Sequence, residues 1–171
     1  MKENARSLAE EKHVGLKWGS SPFIIHLIRV AALVEFYTRD DEMTAIAWLH
    51  DILEEDTGVE FDELIDKFGG DIAFPVADLT NEYTEQSYPK MSANERSLRE
   101  IDRLARCSDE VKIVKLADRL DNLMMVRCLD TYWKTLYFEQ SQLLLEKIGD
   151  AHKRLGKLLK GELDAFWANQ D

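Results

Sequence analysis

The sequence has few of the residues that mark disulfide frameworks, thiolate metal sites or membrane spans. Only two cysteines occur among 171 residues, Cys107 and Cys128, and neither belongs to a Cys-x-x-Cys pair, which argues against a disulfide framework or a zinc-thiolate site. No apolar run approaches the roughly 20 residues that cross a bilayer, and the polar N-terminus lacks the apolar stretch of a signal peptide. We therefore expect a cytoplasmic protein that does not enter a membrane.

Positive charge is also scarce, with 22 Lys and Arg against 33 Asp and Glu and a net charge of −11. The average field of such a surface repels long polyanions, so a nucleic-acid polymer is not an expected partner. A small nucleotide is compatible, because a metal ion and a few cationic side chains can reverse the field inside one pocket. The sequence leaves open whether the chain forms a homodimer.

The three prolines and eight glycines leave long uninterrupted segments, in which helical spacing of apolar residues dominates over strand-like alternation. We predict an all-α, single-domain helical bundle over residues 1–171. Phe68-Gly69-Gly70 predicts a helix end, and Ser92 with Glu95 predicts a capping box. The helices are predicted at about 4–16, 24–38, 42–55, 60–68, 70–82, 93–107, 109–127, 131–148 and 149–168.

Two histidines lie on apolar faces of these predicted helices. His26 shares a face with Val30, and His50 shares one with Leu49. Asp51 follows about 100° round the helix from His50. A lone histidine on an apolar face is more often a core residue than a ligand, but the adjacent His-Asp pair weakens that alternative.

A further acidic residue, Asp118, lies on a polar stripe with Lys115 and Asn122, at i, i+3 and i+7 along one predicted helix. Burying an unpaired carboxylate costs several kcal/mol or forces a pKa shift, and metal coordination offsets that cost. Two imidazoles and two carboxylates suit a divalent ion such as manganese, iron or zinc. The alternative for Asp118 is a salt bridge to a neighbouring Arg or Lys, but the motifs together favour a metal site.

These motifs resemble the HD superfamily, and within it the hydrolase domain of RelA/SpoT-type alarmone enzymes and their small stand-alone relatives. The resemblance covers a motif core of about 11–126, and the C-terminal helices at about 131–168 lie beyond it. It implies an HD-type helical bundle and a metal-dependent nucleotide phosphohydrolase. The matching blocks are residues 11–13, 21–26, 29–31, 47–57, 68–69, 79–80 and 114–123.

The resemblance also implies one divalent ion, with manganese preferred over iron, zinc, cobalt or nickel. One ion rather than two is expected, because only His13 and His152 remain as further imidazoles and neither lies in a motif that would build a second site. Both of these histidines are expected at the surface. The four tryptophans are expected to pack helices. The implied metal ligands are His26, His50, Asp51 and Asp118.

An acidic pair that acts on the water or leaving group follows the His-Asp motif in the family. Here the pair falls on Glu54 and Glu55. The family usually has Glu-Asp-Thr where this chain has Glu-Glu-Asp-Thr, so Asp56 is the alternative second acid. The i+4 spacing of Glu54 from His50 places it on the same side of the predicted helix.

Substrate contacts implied by the resemblance are Lys17 and Asn122, and Arg119 is expected to offset phosphate charge. The leading function is that of a guanosine-3′,5′-bis(diphosphate) 3′-pyrophosphohydrolase. Two alternatives remain. One is an HD hydrolase of another nucleotide, such as a deoxynucleotide, an adenine alarmone or NADPH. The other is a non-catalytic metal-binding helical module, and the intact acidic pair argues against it.

Overall fold

The structure is a computed structural model that describes residues 1–54, 57–126 and 131–168. The chain divides into two compact units, residues 1–80 and residues 81–171. The expectation of one domain over the whole chain stays a prediction. Among the described residues, no helix is both long enough and apolar enough to cross a bilayer.

The first unit is built around a central helix, α3. This helix packs against α1, α2 and α5, and every residue from Thr44 to Leu49 is buried. A helix covered on several sides needs apolar residues all round, which the sequence supplies here. Its elements are α1 (Lys2–Lys12), β1 (Lys17–Trp18), β2 (Ser21–Pro22), α2 (Ile24–Thr38), α3 (Asp41–Leu49), α4 (Phe61–Phe68) and α5 (Gly70–Leu79).

The second unit is a group of four helices in which α7 packs against α8 and α9, and α6 packs against α8. Its elements are α6 (Ala93–Leu104), α7 (Asp109–Val126), α8 (Thr131–Ile148), a single 3₁₀ turn (Gly149–Ala151) and α9 (Lys153–Trp167). Together the two units confirm the predicted all-α fold class, since the described strands amount to one short hairpin.

Two predicted helix boundaries are confirmed. The Ser92 N–H donates to Glu95 Oε2 at 2.8 Å, and the Glu95 N–H donates to Ser92 Oγ at 3.2 Å, which completes the capping box of α6. The first of these bonds holds the pKa of the Glu95 carboxyl below its usual value. Helix α4 ends at Phe68, and Gly69 adopts a φ of 78°, a conformation that favours glycine.

The third helix is shorter than the sequence predicts. Helix α3 ends at Leu49 rather than near residue 55. Beyond it, the Ile52 N–H bonds to the Leu49 carbonyl and the Glu54 N–H bonds to the Asp51 carbonyl, so tight turns replace the helical ladder. The Thr57 hydroxyl donates to the Ile52 carbonyl at 2.6 Å and caps this turn. The 100° spacing of a helix therefore does not position Glu54.

A small β-hairpin, absent from the predicted elements, lies between α1 and α2. Lys17 pairs with Pro22 and Trp18 pairs with Ser21. Gly19 has a φ of 59°, whereas Ser20 does not have a positive φ. A positive φ at the first central position alone is the pattern of a type II′ turn. Two residues per strand are too few to produce an alternating pattern in the sequence.

Candidate metal centre

Three ligand-type atoms converge in the first unit. His26 Nε2 lies 3.2 Å from His50 Nε2. Asp51 Oδ2 lies 3.1 Å from His50 Nε2 and 3.5 Å from His26 Nε2. Metal–ligand bonds of about 2.0–2.2 Å at tetrahedral or octahedral angles put neighbouring ligand atoms roughly 3.0–3.5 Å apart. The spacing of these three atoms therefore fits one divalent ion.

The orientation of His50 supports the same conclusion. Its Nδ1 lies 2.8 Å from the Ala47 carbonyl oxygen, and a carbonyl can only accept, so Nδ1 carries the proton. The Nε2 lone pair is then directed at His26 and Asp51. A backbone carbonyl that fixes the tautomer in this way is usual for metal-bound histidines. Both imidazoles are buried.

Asp118 is buried on α7 in the second unit and has a partner on each oxygen. Its Oδ2 lies 2.8 Å from Lys115 Nζ, and its Oδ1 accepts from Asn122 Nδ2 at 2.5 Å. The salt bridge considered from the sequence is therefore present. Each carboxylate oxygen has a second lone pair, so these partners orient the group and leave it able to coordinate a metal.

His13 is buried, with an exposed fraction of 2%, so its expected surface position is wrong. Its Nδ1 donates to the Ala9 carbonyl at 2.9 Å, and its ring stacks on Phe23 with centroids 5.3 Å apart. Burial lowers the pKa of the imidazole. The sequence carried a signal for this burial, because His13 follows Ala5 and Ala9 at spacings of four on the inner face of α1.

Trp18 is the feature near this centre that sequence reasoning missed. It was expected to pack helices, but it lies on the hairpin, with its ring centroid 6.4 Å from that of His26 and 6.4 Å from that of Phe23. Its exposed fraction is 38%. A partly exposed ring beside a candidate metal ligand offers an apolar surface to a substrate.

The remaining predicted site residues have different surroundings. Lys17 lies exposed on β1, and Glu54 lies exposed in the turn after Asp51. Arg119 is buried on α7 and donates to the Ser141 hydroxyl at 3.2 Å. Glu55 and Asp56 lie outside the described residues. The catalytic and substrate-binding assignments of all these residues stay predictions.

The helical fold and the His-His-Asp group define a metal-dependent hydrolase of the HD class. The family model described as "HD domain" matches residues 5–142, so the chain belongs to the HD domain family. Membership of this family implies a bound divalent metal ion.

Two pyrophosphohydrolases are similar to this chain over most of its length. The guanosine-3′,5′-bis(diphosphate) 3′-pyrophosphohydrolase MESH1 of Xenopus tropicalis is 30% identical over 172 residues, covering 97% of this chain and 92% of the relative. The protein of the same name from Danio rerio is 35% identical over 143 residues, covering 78% and 76%. A solved structure described as a metazoan ortholog of SpoT that hydrolyses ppGpp superposes with a TM-score of 0.83 at 22% identity, covering 96% and 94%.

Proposed function

We propose that this HD-domain hydrolase removes the 3′-pyrophosphate of guanosine 3′,5′-bis(diphosphate). The observation that carries the proposal is the convergence of the His26, His50 and Asp51 ligand atoms, which lie 3.1–3.5 Å apart. Relatives named as 3′-pyrophosphohydrolases of this substrate match the chain along most of its length and support the same reaction. In the reaction, the oxygen of one water bonds to the phosphorus on the ribose 3′ oxygen. The bond between that phosphorus and the 3′ oxygen breaks, the 3′ oxygen gains a proton, and pyrophosphate leaves.

One divalent ion, with manganese preferred, is proposed to be held by His26, His50, Asp51 and Asp118. Two imidazoles and two carboxylates suit manganese, iron or zinc. The residue types and the burial of His26, His50 and Asp118 support this ligand set. When bound, such an ion supplies Lewis-acid activation of water and of the phosphoryl oxygen.

Proton transfer is proposed to fall to Glu54, with Glu55 or Asp56 as the second acid. Glu54 follows Asp51 by three residues in a tight turn and is exposed, so it can exchange protons with solvent. A carboxylate that accepts a proton from the attacking water, or returns one to the 3′ oxygen, acts as a general base or acid.

Substrate binding is proposed to involve Lys17, Asn122, Arg119 and the ring of Trp18. Lys17 is exposed and positively charged on the same hairpin as Trp18, which suits a phosphate chain. Nucleobases stack on exposed aromatic rings, and Trp18 offers such a ring beside His26. Arg119 adds positive charge from a buried position.

A nucleotide panel tests the proposal. The purified chain with added Mn²⁺ is incubated with guanosine 3′,5′-bis(diphosphate), deoxynucleoside triphosphates, an adenine alarmone and NADPH. We expect the guanosine substrate to be hydrolysed fastest, and Asp118→Ala to abolish turnover while His152→Ala, outside the site, preserves it. Faster hydrolysis of a nucleotide without a 3′-pyrophosphate would assign the chain to another substrate. No hydrolysis of any nucleotide would favour the non-catalytic module.

The small-molecule character of the substrate agrees with the net charge of −11, which disfavours long polyanions. We also propose a cytoplasmic location, where nucleotide substrates of this kind are found.

A further inference from the structure

Polar side chains of α7 and α8 form a continuous network in the second unit. The Arg119 guanidinium lies over the Tyr137 ring, with its central carbon 4.4 Å from the ring centroid. Arg119 Nη1 donates to Ser141 Oγ at 3.2 Å, and Ser141 Oγ donates to the Tyr137 carbonyl at 2.6 Å. Arg119 therefore contacts the Tyr137 ring directly and the Tyr137 carbonyl only indirectly, through Ser141.

The network continues from Tyr137 to the candidate metal ligand. The Tyr137 side chain interacts with the side chain of Asn122, and Asn122 Nδ2 donates to Asp118 Oδ1 at 2.5 Å. Removal of the Tyr137 hydroxyl from water raises its pKa, which keeps it a neutral hydroxyl. An unbroken series of contacts thus connects Arg119 with the carboxylate of Asp118.

The burial of Arg119 indicates that it acts inside this network. Its exposed fraction is 9%, and its Nε has no hydrogen-bond partner among the described residues. Burying a guanidinium with an unpaired donor is unfavourable, and lysine would reproduce neither the flat ring contact nor the fixed geometry of the donors. A residue that only offset phosphate charge would not need this placement.

We propose that Arg119 is a positioning residue that fixes Asn122, and through it Asp118, by holding Tyr137 in place. Lys115 contacts Oδ2 of Asp118, and Asn122 is a partner that orients Oδ1. Partners that orient a ligating carboxylate typically change metal affinity about 10- to 100-fold when they are lost. This inference rests on the proposed role of Asp118 as a metal ligand.

A double-mutant cycle on Mn²⁺ affinity tests this role without any nucleotide. Dissociation constants are measured by isothermal titration calorimetry for the wild type, Arg119→Lys, Asn122→Ala and the double variant. We expect Arg119→Lys to weaken Mn²⁺ binding about 10-fold in the wild type and less than about twofold when Asn122 is already alanine, because coupled residues are not additive. Arg99→Lys, the same change at an exposed position of α6, should leave the affinity unchanged.

Tyr137→Phe keeps the ring under Arg119 but removes the hydroxyl that interacts with Asn122. The same cycle is run with Tyr137→Phe in place of Arg119→Lys, because Arg119→Lys could destabilise the fold. The positioning role would be overturned if each substitution weakened Mn²⁺ binding equally in the wild type and in Asn122→Ala. It would also be overturned if neither Arg119→Lys nor Tyr137→Phe weakened Mn²⁺ binding. Wild-type protein that binds no Mn²⁺ would overturn it as well, together with the metal site. Protein that binds Mn²⁺ with the expected coupling but does not hydrolyse the guanosine substrate would refute the proposed function alone.

Discussion

Removal of one imidazole should abolish the stabilisation that a bound metal gives the folded chain. A ligand that binds only the folded state, at a free concentration 100 times its dissociation constant, contributes about 2.7 kcal/mol. For a chain of this size, each kcal/mol raises Tm by about 2–4 °C. We therefore expect saturating Mn²⁺ to raise the Tm of the wild type by about 5–11 °C over protein kept in a chelator.

His50→Ala is the sharpest perturbation, because His50 Nε2 lies within 3.2 Å of both neighbouring ligand atoms. In differential scanning calorimetry, the Tm of this variant with Mn²⁺ should exceed its Tm with chelator by less than about 1 °C. His152→Ala is the control. Its Nδ1 accepts from the Leu155 N–H at 3.3 Å at the start of α9, so its loss should lower Tm but preserve the Mn²⁺-dependent rise in Tm. A full rise in His50→Ala would refute the ligand assignment.

Two further predictions concern the reaction. Glu54→Gln should keep the Mn²⁺-dependent rise in Tm but lower kcat about 10²- to 10⁴-fold, whereas Glu139→Gln, at an exposed position of α8, should leave kcat unchanged. Steady-state rates of both variants at saturating substrate measure this, and a wild-type kcat in Glu54→Gln would exclude the proton-transfer role. Trp18→Ala should raise KM about 5- to 150-fold, because a stacked base is worth about 1–3 kcal/mol. Trp167→Ala, of similar exposure, should leave KM unchanged, and a wild-type KM in Trp18→Ala would mean that no base stacks on Trp18.

Features set by a few neighbouring residues could be predicted from the sequence. The capping box needs only Ser92 and Glu95, which are three residues apart, and the end of α4 needs only a glycine that accepts positive φ. The burial of His26 followed from the spacing of apolar residues along one helix. These signals are local, so the tertiary structure did not alter them.

Features that depend on side-chain bonds in turns or on packing between elements could not be predicted from apolar spacing. After α3 ends at Leu49, the Thr57 hydroxyl donates to the Ile52 carbonyl, a side-chain bond that apolar spacing does not encode. The position of Trp18 beside His26 depends on a hairpin of two residues per strand. Asn122 and Arg119 were assigned to the substrate, but the contact of Arg119 with Tyr137 becomes visible only when α7 and α8 pack.

The identity of the products formed from guanosine 3′,5′-bis(diphosphate) tests the proposed reaction most directly. The reaction is followed by ³¹P NMR with the purified chain and Mn²⁺, and with Asp118→Ala as the inactive control. We expect equal amounts of pyrophosphate and guanosine 5′-diphosphate from the wild type, and neither product from the variant. Release of orthophosphate, cleavage at the 5′ position, or an unchanged rate in Asp118→Ala would contradict the proposed reaction.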